Sequence, residues 1–496
     1  MPNIEVARYP MLDIGLSLIA FIVAIGLLVS VHEFGHFWVA RRLGFKVLRF
    51  SIGFGKPLAR WRGRDRDGTE YWISSLPLGG YVKMLDEREG PVPEADRDRA
   101  FNRRPPPHRI AVLLAGPGFN FLFAIAAYWL LFVTGVPGMK PYIGEVEPDS
   151  IADRAGLRAE DVIEAIDGEP TETWEHATLA ILDGLLDDSA LELRVRGADG
   201  STRDVELDVR GRISELTEPD ALFPGLGIRP GPVLPLPAVV GDVIAGSPAE
   251  EAGLEPGDRI LSIDGTPVRT FEEWAALIRE RPGETIELRV ERGWQPGEGS
   301  DGDFELRADR APPRTLTLTV RVGEAEVAGE RVGQIGVSSV SRVPPELLPP
   351  GWAERLESLR AEQRYGVFES VGRSLEKTWE MSALTVRMLG RMVVGDVSIR
   401  NMSGPIGIAG YAGDSAQAGL SAFLGFLAIV SISLGILNLL PVPILDGGQI
   451  VYQVVEWIKG APLSERAMAF GQQVGILLMI LLTGLVFYID LSRVFS

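Results

Sequence analysis

The 496-residue sequence predicts a multi-span α-helical membrane protein. It has four transmembrane helices, a membrane-associated β hairpin or sheet, and two α+β domains inserted between the second and third spans. Three observations carry this reading. Four apolar stretches are each long enough to cross a hydrocarbon core. The first of them ends in a cluster of two His and one Glu, which is costly at membrane depth unless put to use. Between the second and third stretches, three submotifs recur at one offset, the mark of a tandem duplication.

The first span covers residues 12–40. Within it, residues 14–31 are nearly free of charge, and they lead into Ser30-Val31-His32-Glu33-Phe34-Gly35-His36. His-Glu-x-x-His on a helix puts two imidazoles on one face at i and i+4. That spacing suits two zinc ligands, with the intervening Glu as general base. A purely structural role would leave three polar side chains unpaired in an apolar setting. The run is too long for a signal peptide and carries the candidate ligands, so it is expected to be retained.

A basic loop follows. Residues 41–109 contain sixteen Lys and Arg against nine Asp and Glu, which by the positive-inside rule makes this loop cytoplasmic. Phe50-Ser-Ile-Gly-Phe-Gly55 and Tyr71-Trp-Ile-Ser-Ser75 alternate like strands and precede Pro77-Leu-Gly-Gly-Tyr-Val-Lys-Met84, which predicts a small hairpin or sheet beside the His cluster. The second span, residues 110–136, is entered through Arg103-Arg104-Pro105-Pro106-Pro107. The third covers 418–440 and the fourth 468–488. With the first loop inside, the N-terminus, the central region and the C-terminus all lie outside. The central region has an acidic excess of about twenty charges, and a segment that long is exported whatever its charge.

The central region repeats. Ala155-Gly156-Leu157, Asp161-Val162-Ile163 and Ile166-Asp167-Gly168 return as Ala252-Gly253-Leu254, Asp258-Arg259-Ile260 and Ile263-Asp264-Gly265. Each copy continues with a helix-period stretch and then alternating strands. The pattern resembles PDZ domains, which capture extended peptides by strand addition. The expected boundaries are 1–136 for the first two spans and their loop, 137–232 and 233–343 for the two PDZ copies, 344–417 for a linker with an amphipathic helix, and 418–496 for the last two spans. Gly225-Leu226-Gly227-Ile228 and Gly333-Gln334-Ile335-Gly336-Val337 are the candidate peptide-binding edges. Residues 293–303 read as a flexible insertion in the second copy.

Composition narrows the chemistry. With no Cys, disulfides, Cys-ligated zinc and thiol catalysis are excluded, and any metal must be held by His and carboxylates. A formal net charge of -18 argues against nucleic-acid binding. Two His leave tetrahedral zinc short of a protein ligand. His108 and His176 read as ordinary surface or structural residues. Asp446 is the better third ligand. It lies in Asn438-Leu-Leu-Pro-Val-Pro-Ile-Leu-Asp446-Gly-Gly448, where prolines break an apolar span, although a helix-terminating Asp-Gly-Gly turn is the alternative.

Taken together, His32-Glu33-x-x-His36, Leu445-Asp446-Gly447, Gly116-Pro117-x-x-Asn120 and Gly79-Gly80-Tyr81-Val82-Lys83-Met84 resemble the site-2 protease family of intramembrane zinc metalloproteases. Four spans with two PDZ copies between the second and third look like that family's envelope-stress regulators in Gram-negative inner membranes. The resemblance implies regulated intramembrane proteolysis. A single-span anti-sigma factor, already trimmed outside, is cut within its transmembrane segment, and remnant signal peptides form a second substrate class. It also implies Zn2+ held by His32, His36 and Asp446, with Glu33 moving the proton. Asn438 and Asn401 are implied substrate contacts. Ile52, Phe54 and Tyr71 lie in strands that would hold the unwound substrate by edge pairing. Asn120 reads as a packing residue of the second span.

Two other classes compete. A membrane-anchored PDZ scaffold or receptor with a vestigial metal site has no use for Glu33. A metal transporter would spread polar residues across several spans, whereas here they gather at two points.

Overall fold

The computed structural model describes residues 10–65, 67–233, 236–293, 295–296, 304–305, 314–327, 330–339 and 351–495. The chain opens with α1 (Pro10–Arg42), the first apolar stretch and the His cluster in one continuous helix. Arg41 and Arg42 close it, where cations suit both the helix C-terminus and a headgroup layer.

Two long strands follow, β1 (Val47–Arg62) and β2 (Glu70–Met84). Gly53, Gly55 and Gly79 hold positive φ and let the strands bend sharply. Residues 49–52 therefore face 80–83 on one side and 70–73 on the other, while 59–62 face 70–73 from beyond. This corrects one expectation. Ile52 pairs with both Gly80 and Ile73, and Tyr71 with both Phe50 and Trp61, so neither backbone is at a free edge. Phe37, Phe45, Val47 and Val112 form the core between the sheet, α1 and α2 (Pro106–Thr134). Gly35 brings α1 so close to Ala115 O of α2 that a Cβ there has no room.

The two central domains share one plan. In the first, β3 (Val162–Ile166), α3 (Trp174–Asp187), β4 (Ala190–Arg196) and β5 (Thr202–Asp208) give a sheet ordered Glu169–Pro170, β3, β4, β5. In the second, β6 (Arg259–Ile263), α4 (Phe271–Arg279), β7 (Thr285–Arg292) and β8 (Arg314–Arg321) give the matching order Thr266–Pro267, β6, β7, β8. Alternation sends Leu191, Leu193 and Val195 inward in one copy and Ile286, Leu288 and Val290 in the other. Thr173 and Thr270 cap the two helices. Each copy buries one aspartate against an arginine, Asp161 with Arg203 and Asp258 with Arg292.

Residues 230–360 together with 142–145 make up one compact unit, and the first domain belongs with the membrane helices in the other. Within that second unit the first domain rests on α5 (Glu369–Val394). Arg387 reaches Asp183 and Asp187, Lys377 lies 2.8 Å from Glu175, and Leu186, Ile213 and Val397 share an apolar contact.

Four helices follow: α6 (Pro405–Ala418), α7 (Leu420–Leu439), α8 (Asp446–Lys459) and α9 (Glu465–Phe495). Among the described residues, four helices are long and apolar enough to cross a membrane: Gly15–Arg42, Pro106–Thr134, Leu420–Leu439 and Arg466–Arg493. Ala124, Ala127 and Leu131 pack against Ala428, Ile432 and Ile436 between α2 and α7. Helices α6 and α8 are additions to the sequence expectation. The expected insertion at 293–303, and the first part of the expected linker at 344–350, lie almost wholly outside the described residues.

Candidate metal centre

His32 and His36 sit one turn apart on α1, both buried, with rings 4.8 Å apart and edge-on. Asp446 reaches them from 410 positions further along the sequence. Its approach depends on a tight turn at residues 440–445, where the Val442 and Leu445 amides bond back to Leu440 and Val442 carbonyls. Gln449 Nε2 donates to Pro443 O at 2.7 Å. Gly447 and Gly448 pack on the carbonyls of Leu439, Leu440 and Val442, where any side chain would collide. Asp446 thus opens α8 and does not end a helix. Two consecutive glycines disfavour a helix by local propensity, and close packing overrides that preference.

The three ligand atoms form a nearly equilateral triangle. His32 Nε2 and His36 Nε2 are 3.1 Å apart, and Asp446 Oδ2 lies 3.2 and 3.3 Å from them. Bonds of 2.0–2.2 Å at tetrahedral angles separate ligand atoms by about 3.3–3.5 Å. Asp446 Oδ2 is buried and makes no hydrogen bond, so the three atoms converge on a point and not on one another. An N, N, O donor set with this spacing fits zinc. Among the described residues, this is the one cluster of three His, Asp or Glu side chains close enough to share a metal ion.

The outer partners fix the rings. His36 Nδ1 lies 2.8 Å from Val112 O, so Nδ1–H donates there and leaves the Nε2 lone pair to the centre. His32 Nδ1 lies 3.1 Å from the Asn120 amide nitrogen, while Asn120 Oδ1 is buried without a partner. The isosteric amide orientation places Oδ1 on Nδ1–H, which satisfies both groups and makes His32 match His36. Asn120 is therefore more than a packing residue. Sequence reasoning missed this role because the contact joins positions 88 apart. Gly116 is the second omission. A Cβ there would meet Nε2 of both histidines, and a glycine one turn before Asn120 is the signal that pointed to it.

Glu33 stands beside Gly80, whose added Cβ would lie 2.9 Å from Glu33 Cγ. The sheet segment at residues 80–83 thus runs next to the candidate base. Phe54 stacks on Tyr81 and Tyr71 stacks on Trp61, with Tyr71 also packed on Phe37. Asn438 lies in the last turn of α7 and donates to Leu434 O at 2.9 Å. Asn401 has a different setting, with its Nδ2 donating to Thr217 O of the first central domain and to Ser398 O.

The sequence profile of peptidase family M50 matches residues 20–482. Regulator of sigma E protease from Salmonella typhi is 42% identical over 485 residues, covering 97% of this chain and 100% of the relative. Regulator of sigma-E protease RseP from Escherichia coli (strain K12) is 41% identical over 478 residues, covering 96% and 98%. A Neisseria meningitidis protein whose name describes a zinc metalloprotease is 40% identical over 479 residues, covering 96% and 99%. By its helices, its converging His-His-Asp triangle and these matches, the chain is a member of peptidase family M50.

Proposed function

We propose that this chain is an intramembrane zinc metalloprotease that cuts single-span membrane proteins within the bilayer. The observation that carries the reading is the triangle of His32, His36 and Asp446 with Glu33 one residue from the first ligand, its two histidines inside a helix long and apolar enough to cross a membrane. Zinc held there supplies a Lewis acid and an acidified water. Glu33 is placed to take the proton from the attacking water and return it to the leaving amine. A helical substrate hides its amides and must unwind. Residues 80–83, beside Glu33, offer a strand against which an extended segment can pair, with Ile52 in the adjoining strand, Phe54 stacked on Tyr81, and Tyr71 backing them from the strand beyond. Asn438 and Asn401 serve as further substrate contacts in this reading.

The relatives named for sigma-E regulation support an anti-sigma factor, already trimmed on its outer side, as substrate. The loop of residues 41–109 faces the cytoplasm of an inner membrane, and the two central domains face outward as PDZ modules that exclude untrimmed substrates by size. In a co-expression assay with a tagged, pre-trimmed single-span stub, Glu33→Gln abolishes cleavage and keeps its zinc. Asp446→Ala loses both. Full cleavage by Glu33→Gln would end the protease reading, because a scaffold has no need of a base at that position.

A further inference from the structure

The outer arm of the sheet carries charge that the protein itself does not neutralise. Six cations of this region are paired at 2.6–2.9 Å: Arg41 with Asp65, Lys46 with Asp96, Arg49 with Glu70, Lys83 with Glu89, Arg99 with Asp67 and Arg103 with Glu87, while Arg42 lies over the Trp38 ring and Arg104 bonds Gly44 O. Arg60, Arg62 and Arg64 are all exposed, and none has a carboxylate partner among the described residues. Arg62 spends only its Nε, on Gly68 O at 2.9 Å. Alternation along β1 puts Arg60 and Arg62 on one face, and Arg64 follows just past the end of the strand.

The same arm is apolar at its other end. Leu58 is 74% exposed, Leu76 56%, Trp61 53% and Ile73 43%. The pairing sets their depth against α1. Gly80, Ile52, Ile73 and Ala59 share one level, and Gly80 lies on Glu33 and Val29. That level is about 12–18 Å along α1 from Arg41 at 1.5 Å per residue. Asp65, bonded to Arg41, marks the helix end. From depth to surface the arm reads Leu76, Leu58, Ile73, then Trp61, then Arg62 and Arg64. Arg60 stands one register below Trp61 and has the reach to snorkel. This is the order of hydrocarbon, interfacial aromatic and headgroup along a bilayer normal. Lys56 stands deeper and is not part of the row.

We infer that Arg60, Arg62 and Arg64 form a docking row for anionic phospholipid headgroups in the leaflet at the Arg42 end of α1. The occupant follows from charge complementarity: three uncompensated guanidiniums, adjacent apolar side chains at hydrocarbon depth, and a Trp between them. Guanidinium forks bind phosphate oxygens in pairs. The inference rests on the membrane spans and not on the protease reading, so either can fail alone.

The test uses the full-length protein in neutral detergent, titrated with phosphatidylglycerol or phosphatidylcholine and read by native mass spectrometry. Wild type should bind phosphatidylglycerol about fivefold or more tightly than phosphatidylcholine. Arg60→Gln/Arg62→Gln/Arg64→Gln should erase that preference and leave phosphatidylcholine binding unchanged. The charge-matched Arg88→Gln/Arg97→Gln/Arg103→Gln, built from arginines that already have carboxylate partners, should keep it. Equal losses in the two variants, or none in the first, would overturn the assignment. Should the first variant fail to fold, wild-type binding across rising ionic strength decides the matter. A preference that salt does not weaken would refute a headgroup row.

Discussion

Replacing Gly116 by Ala adds one methyl group at the most crowded point of the metal centre. The new Cβ would sit 2.7 Å from His32 Nε2 and 2.6 Å from His36 Cε1, and nearer still to His36 Nε2. Ordinary contact begins near 3.4 Å, so the His32 ring must retreat by about 0.7 Å and the His36 ring by more, or α2 must move away by the larger amount. Metal–ligand distances tolerate only about 0.2 Å. Zinc affinity should therefore fall by about 100-fold or more, beyond the usual loss of an outer partner. The helix itself gains about 0.5–1 kcal/mol from Gly to Ala, against about 1–3 kcal/mol of overpacking, so the fold should survive. Gly118→Ala is the control on the same helix, since a Cβ there meets nothing within 4 Å. Metal analysis of both purified variants, a chelator competition for affinity and cleavage of a trimmed substrate make the measurement. Stoichiometric zinc and normal cleavage in Gly116→Ala would show that the glycine does not keep the centre open.

Three further outcomes follow from the same geometry and from the proposed topology. Asn120→Ala should lower zinc affinity about 10- to 100-fold by releasing His32 Nδ1, and Asn120→Asp, which keeps an acceptor, should recover most of it in the same chelator competition. Reporter fusions after Lys83 and after Glu298 should show opposite sidedness, and matching sidedness would overturn the proposed topology. Deleting residues 142–340 and joining the ends by a short linker should permit cleavage of untrimmed substrate. If only trimmed substrate is still cut, the central domains do not act as a size filter.

The sequence disclosed the centre unevenly, for physical reasons. His32 and His36 were legible because their geometry follows from helical spacing alone. Asp446 was legible as a candidate through its prolines, but the helix it begins was not, since Gly447 and Gly448 argue locally against one. The four helices long and apolar enough to cross a membrane were legible because length and apolarity suffice to mark them. The sheet was legible as strands but not as an arrangement. Three positive-φ glycines fold β1 and β2 back on themselves, and this moves the segment beside Glu33 from residue 52 to residue 80. Asn401 was named through the family resemblance, and its amide is found on Thr217 O, a contact across 184 positions that no local pattern encodes.

The buried aspartate of each central domain records how the two copies drifted apart. Asp161 and Asp258 hold the same turn, accepting from Arg158 N and Glu255 N. Ile163 faces Val195 and Ile260 faces Val290, so Gly197 in the first copy occupies the place of Arg292 in the second. Where the second copy sends Arg292 to its aspartate, the first has a glycine, and Arg203 arrives from the neighbouring strand to fill the gap. Its guanidinium lies 3.2 Å from where a Gly197 Cβ would be. The second copy has Leu316 at the place of Arg203, by the pairing of Val195 with Arg203 and of Val290 with Leu316. Burial demands a counter-charge but is indifferent to its address, so the arginine could migrate while the carboxylate stayed. Modules related by this duplication are therefore not interchangeable strand by strand. A hybrid taking β4 with Gly197 from the first copy and β8 from the second would inherit neither arginine and strand its aspartate.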